Sequence, residues 1–236
     1  MIQLDLRECG SADPEHHWYY KSKARYLFSN EHVKNLNPSV ILDVGAGSAY
    51  FLKEAQKIFA NAQCVAMDPN YTDDQIGFSN GVEYTKTSGS IQADLYLMVD
   101  VLEHIEDDLS ALTDYVKRAP SGSLFLISVP AFEFLWSPHD IFLGHFRRYT
   151  LKSLKKLVVS SGLNCLEAKY LFGPIFPLVF LIRKMKNLKR TGSYNSDMKK
   201  PAPLVNFILA NILKRTGWPN KNGIAGTSAF VVARKY

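Results

Sequence analysis

The stretch ILDVGAGSAYFL, residues 41–52, carries a short apolar strand that ends at Asp43, a turn through Gly45 and Gly47, and a helix starting near Ser48. Glycine lets a backbone approach a ligand closely, and the first turn of a helix leaves N–H groups free to donate. Strand, glycine turn and helix in that order open a nucleotide-binding α/β sheet. Two residues narrow the ligand. The dinucleotide fingerprint wants a third glycine where this chain has Tyr50. Asp43 at the strand end suits a ligand carrying positive charge. NAD is therefore disfavoured, and S-adenosyl-L-methionine, with an ammonium, a sulfonium and no pyrophosphate, fits.

Working outward, Asp68 in CVAMDPN follows Gly47 by twenty-one positions and ends a second apolar run. An acid there can accept hydrogen bonds from both hydroxyls of a ribose. The segment ADLYLMVDVLEHIEDD, residues 93–108, is an apolar strand that empties into Asp100, Glu103 and His104. Ligands of open α/β sheets bind outside the carboxyl ends of the strands, where these three residues fall. Glu106, Asp107 and Asp108 are expected to cap the next helix.

Apolar runs at 40–44, 64–67, 82–84, 95–99, 124–129, 166–171 and 229–234 alternate with helical stretches such as 49–59, 105–119 and 151–161. This alternation predicts an α/β fold, a Rossmann-like doubly wound seven-stranded sheet built from right-handed crossovers. A helix over 15–35 forms an N-terminal lid within residues 1–37. The core spans 38–172, a helical insertion 173–223 precedes the last strand, and 224–236 supplies that strand, all in one domain. Three scattered cysteines, Cys9, Cys64 and Cys165, make neither a disulfide framework nor a zinc spacing, and the acidic N-terminus has no signal-peptide core. A cytoplasmic setting is expected, with a peripheral membrane position left open.

The net charge of +6 hides a division. Residues 1–146 hold 10 Lys and Arg against 20 Asp and Glu, whereas residues 147–236 hold the other 18 with only Glu167 and Asp197. That asymmetry points to an anionic partner for the C-terminal part. The insertion joins PIFPLVFLI to the basic RKMKNLKR, which includes Arg183, Lys184, Lys186, Lys189 and Arg190. It suits either a lid over a soluble substrate or an element lying on an anionic membrane surface. Its apolar run is too short to span a bilayer and is broken by Gly173, Pro174 and Pro177. No RNA-binding module is recognisable, so nucleic acid is disfavoured.

Taken in order, DVGAGSA, MDP and DLYLMVDVLEHIED resemble the class I S-adenosylmethionine-dependent methyltransferases, notably the branch with the ubiquinone and menaquinone biosynthesis enzymes. The resemblance covers roughly residues 15–171 and the final strand. It implies that Asp43, Gly45 and Gly47 line the methionine part of the cofactor, that Asp68 holds the ribose, and that Asp100, Val101 and Leu102 border the methionine end. Ala49 stands where the family usually has a third glycine, and TKTSGSIQ, residues 85–92, lacks the acid often found near the adenine. The loop VPAFEFLWSPHDIFLGHFRRYT, residues 129–150, resembles a subgroup with an H-D-x-x-L-G-H-x-R-R-Y-T signature. Its members carry an N-terminal motif like HHWYYKSKAR, residues 16–25, that closes over the cofactor. Carried over, Trp18, Tyr19, Tyr20 and Arg25 shield the sulfonium and hold the carboxylate, with spacing leaving open which aromatics face inward.

The sulfonium already makes the methyl group electrophilic, so alignment of an acceptor lone pair supplies much of the catalysis. A hydroxyl acceptor gains from a general base, and histidine titrates in the right range. His139 and His145 are the candidates, with His104 behind them. Arg147 and Arg148 are candidate anchors for an anionic acceptor, with Asp140 and Tyr149 beside them in the substrate-binding loop. No spacing here matches a strong metal-ligand pattern, and no metal is expected. The expected reaction is methyl transfer to an anionic acceptor, at a carboxylate or hydroxyl oxygen of a small molecule or peptide. Methylation of a lipid-linked, quinone or glycolipid acceptor at a membrane surface is the alternative. A non-catalytic, cofactor-binding partner subunit is the non-enzymatic one.

Overall fold

The computed structural model describes residues 13–188, 203–215 and 224–236. Cys9, Lys189, Arg190, the loop TGSYNSD and the first twelve residues of the expected lid lie outside them. In chain order the elements are α1 (Trp18–Ser29), α2 (Glu31–Lys34), β1 (Val40–Val44), α3 (Tyr50–Ile58), β2 (Gln63–Met67), β3 (Gly77–Ser79), β4 (Val82–Thr85) and β5 (Leu95–Val99). They continue with α4 (Asp108–Arg118), β6 (Leu124–Pro130), α5 (Pro138–Leu143), α6 (Leu151–Ser160), β7 (Asn164–Leu171), α7 (Phe176–Leu188), α8 (Pro203–Arg215) and β8 (Ser228–Arg234).

The strands form one sheet in the order β3-β4-β2-β1-β5-β6-β8-β7. Strands β4, β2, β1, β5 and β6 run parallel, while β8 is antiparallel to both β6 and β7. The fold is the expected Rossmann-like α/β architecture, with eight strands rather than seven. The eighth is β3, which pairs antiparallel with β4 through Asn80-Gly81, both at positive φ (51° and 78°). A two-residue turn of that kind matches the twist of a hairpin. All three β3 residues are exposed, so no apolar pattern marked the strand.

Strand β5 is buried along its whole length, as expected where helices cover both faces of a parallel sheet. One core cluster joins α1 and α3 to the sheet through Leu27, Phe28, Leu52 and Leu97, and it extends to Phe172, Ile175 and Leu213 around the insertion. The other face packs Leu112 and Val116 of α4 and Leu154 and Val158 of α6 against Phe125 and Ile127.

Helix boundaries differ from the sequence reading where caps intervene. The N-terminal helix breaks at Asn30, whose extended backbone and side-chain bond to the His32 N–H start α2. Helix α3 starts at Tyr50, because Ala49 adopts a left-handed conformation (φ 56°). Asp107 caps α4 by accepting from the Ser110 N–H, so that helix begins at Asp108.

Candidate active site

The sheet order reverses at β1, which is flanked by β2 and β5, and a cavity opens outside the carboxyl ends of these strands. That is where an open α/β sheet holds its ligand. Asp43, Gly45, Asp100, Tyr19 and Tyr20 line one side. His104, His139, His145, Arg148 and Arg183 line the other.

On the first side, the turn after β1 is fixed by the Gly45 and Ala46 N–H groups donating to the Met67 carbonyl at 2.7 and 3.0 Å. Gly45 has φ 68°, and a Cβ there would lie 2.7 Å from Cγ2 of Val101. Glycine is thus required by both conformation and space. Asp43 is buried, and its Oδ2 has no hydrogen-bond partner. Burial, reinforced by the neighbouring charge of Asp68, pushes its carboxyl up to about 8. A buried carboxyl in that condition calls for a cation.

Asp68, also buried, accepts from the Gly47 N–H at 3.0 Å through one oxygen and from the Asn70 backbone and side chain through the other. It ties the glycine turn to the end of β2 and does not itself line the cavity. Carboxylate oxygens retain lone pairs for a further donor.

Asp100 follows β5 in a left-handed conformation (φ 57°), which is uncommon outside glycine. Its Oδ2 accepts from Lys23 Nζ at 2.5 Å and from the Tyr19 hydroxyl at 3.0 Å. Lys23 is fully buried, and the sequence reading missed it. The available signal was spacing alone: Lys23 stands one helical turn after Tyr19, on the same face of α1. Arg25, in contrast, lines a separate surface depression with Glu15, Lys21, Glu54 and Lys57. Trp18 also stays off the cavity lining, where it meets Phe172 edge-on at 5.8 Å. Tyr19 stacks on the same Phe172 at 4.9 Å and faces the cavity. The expectation for Arg25 and Trp18 is corrected accordingly, because a helix turns their side chains away from the face that carries Tyr19 and Lys23. Val101 and Leu102 are buried behind the turn and are not on the lining.

The second side is organised by Asp140. Ser137 and Asp140 form a capping box that starts α5, Pro138 occupies its first turn, and Gly144 closes it at φ 69°. The Asp140 carboxylate is completely buried. Its Oδ1 accepts from His145 Nδ1 at 2.8 Å and from two Arg148 nitrogens, each at 2.7 Å. Its Oδ2 accepts from the Ser137 N–H at 2.9 Å, with the Arg183 guanidinium 3.7 Å away. Burial alone would raise this carboxyl, but the His145 hydrogen bond and the Arg148 and Arg183 charges hold it well below the usual carboxylate range. His145 gives Nδ1–H to Asp140, which leaves Nε2 as its other ring nitrogen. Its ring meets that of His104 edge-on at 4.6 Å. Burial and the proximity of His145 lower His104 to about 4, so it is neutral at pH 7. Glu103, His104 and His145 each offer an atom within 4.8 Å of the others.

Arg147 and Arg148 are adjacent in sequence and part company in space. Arg148 lines the cavity but forms its ion pair with Asp140, with a side chain only 3% exposed. Arg147 pairs with Asp108 at 3.1 Å and donates to the Glu106 carbonyl, away from the cavity. The Tyr149 hydroxyl donates to Asp108 at 2.6 Å from a buried position. Arg147 and Tyr149 therefore clamp the loop to the start of α4 instead of lining the acceptor side. Arg183 of α7, from the basic run of the insertion, and Thr227 and Ser228 at β8 complete the wall, and nothing in the sequence pointed to the last two.

A family model described as a methyltransferase domain matches residues 15–168. A Haloferax volcanii protein, described as a methyltransferase and solved in complex with the Trm112 methyltransferase activator, is similar in structure with a TM-score of 0.59 and 12% identity, over 97% of this chain and 93% of its own. A Galdieria sulphuraria protein described as a sarcosine dimethylglycine methyltransferase gives 0.59 and 14%, over 92% and 86%. A SAM-dependent methyltransferase from Archaeoglobus fulgidus gives 0.52 and 15%, over 92% and 94%. No curated protein matches the sequence.

Proposed function

We propose that this chain, which belongs to the methyltransferase-domain family, transfers a methyl group from S-adenosylmethionine to a hydroxyl oxygen of its acceptor, with His145 as general base. S-adenosylmethionine as cofactor follows from the family and agrees with the SAM-dependent Archaeoglobus fulgidus protein of the same fold. It also suits the buried Asp43 Oδ2, which has no hydrogen-bond partner, and the glycine turn, which leaves no room for a side chain at Gly45. When bound, it supplies a methyl group made electrophilic by the adjoining sulfonium.

On this reading Asp43 and Asp100 face the positive charge of the cofactor, and the buried Lys23, off the cavity lining, holds Asp100 in position. Gly45 allows close approach, and Asp68, behind the lining, holds the glycine turn through the Gly47 N–H in place of the expected ribose contact. Tyr19 and Tyr20 cover the cofactor from α1 and help exclude water.

The observation that carries the choice of acceptor is the Asp140–His145 pair on the cavity wall. A carboxylate acceptor needs no base, whereas a hydroxyl must lose a proton as the methyl group arrives. Asp140 fixes the tautomer and orientation of His145, so Nε2 is the atom that takes the proton. His139 borders the same space as a positioning group. Arg148 and Arg183, the cations on this wall, both face Asp140, which favours a neutral hydroxyl over an anionic group.

The test is methyl transfer from labelled cofactor to a panel of phenolic, sugar and carboxylate acceptors. The expected result is transfer to a hydroxyl compound, lowered by about a hundredfold or more in His145→Ala with cofactor affinity unchanged. Chelators should leave turnover intact. Full activity of His145→Ala would return the acceptor to the carboxylate class. Loss on chelation, restored by a divalent cation, would make Glu103, His104 and His145 a metal centre.

A further inference from the structure

We propose that α7 and α8 form a docking surface for an anionic lipid bilayer, which brings the acceptor side of the cavity to the membrane. Helix α7 is held to the protein by Val179 packed against the core, by Phe176 against Phe132 at 5.7 Å, and by Arg183, which donates to the Leu135 carbonyl at 2.7 Å. These residues take one face. The opposite face should then be polar, as on an ordinary surface helix. Instead it carries Leu178, Leu181, Ile182 and Met185, which are 55%, 54%, 44% and 51% exposed. Their spacing of three, four and seven residues makes a continuous apolar stripe turned away from the core.

Helix α8 repeats the arrangement. Leu209 and Leu213 pack inward, and Asn206 ties it to α1 by accepting from the Trp18 N–H and donating to the His16 carbonyl. Outward stand Val205, Phe207 and Ile208, 47%, 66% and 45% exposed. The apolar surface continues from α7 through Phe180 to Phe134, 5.8 Å apart, on the loop that leads to His139. Arg183, beside Ile182, lines the cavity itself. The patch therefore borders the mouth through which an acceptor must enter. Exposed apolar surface of this extent on each of the two helices marks an interaction site.

Charge selects the occupant. Lys184 follows directly on Leu181 and Ile182, the run RKMKNLKR at 183–190 has five basic residues and no acid, and residues 147–236 hold 18 basic against two acidic residues. Anionic headgroups complement that charge. A second copy docked by a two-fold axis would set the same basic run against itself. Among the described residues no helix is long and apolar enough to cross a membrane, so the geometry points to helices lying on the interface.

The experiment is co-sedimentation of the full chain with phosphatidylcholine vesicles, with and without one third phosphatidylglycerol. Binding to the anionic vesicles is expected, weaker on neutral ones and weakened by salt. The Leu181→Gln/Ile182→Gln double variant should lose it, and Lys184→Ala should reduce it about fivefold. S-adenosylhomocysteine affinity should be unchanged in both variants, which establishes that they fold. Absence of binding to anionic vesicles would overturn the proposal. So would a dimer abolished by the double variant, which would give the face to a second copy, or equal binding to neutral vesicles, which would remove the headgroup contribution. Vesicle binding is read without methyl transfer, so the proposal stands or falls apart from the assignment of His145.

Discussion

Replacing Asp43 by Asn should stabilise the cofactor-free protein, and by more at high pH than at low. Asp43 is buried without a partner for Oδ2, and burial together with the charge of Asp68 pushes it up to about 8. Its ordinary value in an unfolded chain is about 4. A carboxyl raised in the folded state contributes its full stability below the unfolded value and loses it as pH rises to the folded value. Between about pH 4 and about pH 8 the wild type should thus lose ~1.4 kcal/mol per pH unit through this group, and nothing further above. An amide of the same shape does not ionise, so the advantage of Asp43→Asn should grow from ~1 kcal/mol at pH 5 to about 5 kcal/mol at pH 8 and above. Urea unfolding of both proteins at pH values from 5 to 9, without cofactor, measures it. The same variant should bind S-adenosylhomocysteine more weakly by ~1–3 kcal/mol, because a charged partner of the ammonium is gone. A stability difference that does not change with pH, or an Asp43→Asn protein less stable than wild type at pH 9, would refute the reasoning.

Lys23→Met should weaken S-adenosylhomocysteine binding by about tenfold or more, because Asp100 loses the partner that positions it, whereas Arg25→Ala should leave it near wild type; calorimetry on both variants measures it. Gly45→Ala should destabilise by ~1–3 kcal/mol, since φ 68° and the contact with Val101 both oppose a methyl group, and Gly45→Ala/Val101→Ala should recover the part due to the clash in thermal unfolding.

What could be read from the residues in advance was what depends on near neighbours. The strand, glycine turn and helix around Asp43 are local chemistry, and every strand foreseen from an apolar run is present. Strand β3 escaped because its residues face solvent and pair only with β4. Lys23 escaped for a different reason. Its partner Asp100 lies 77 positions away, and only the packing of α1 over the sheet edge joins them. Arg147 and Arg148 show the same limit over a single step, since the direction of each side chain is set by Asp108 and Asp140 in separate elements. The functional loop was visible as a concentration of histidine and arginine, but the role of Asp140 as its buried centre depends on the three-dimensional convergence of His145, Arg148 and Arg183.

The central claim is that the cavity between Asp43 and Asp100 holds S-adenosylmethionine. Isothermal titration of the full chain with S-adenosylhomocysteine and with NAD tests it most directly. Saturable binding of one S-adenosylhomocysteine per chain, lost or strongly weakened in Lys23→Met and absent for NAD, is the predicted result. Comparable affinity for NAD, or no binding of S-adenosylhomocysteine by the folded protein, would contradict it.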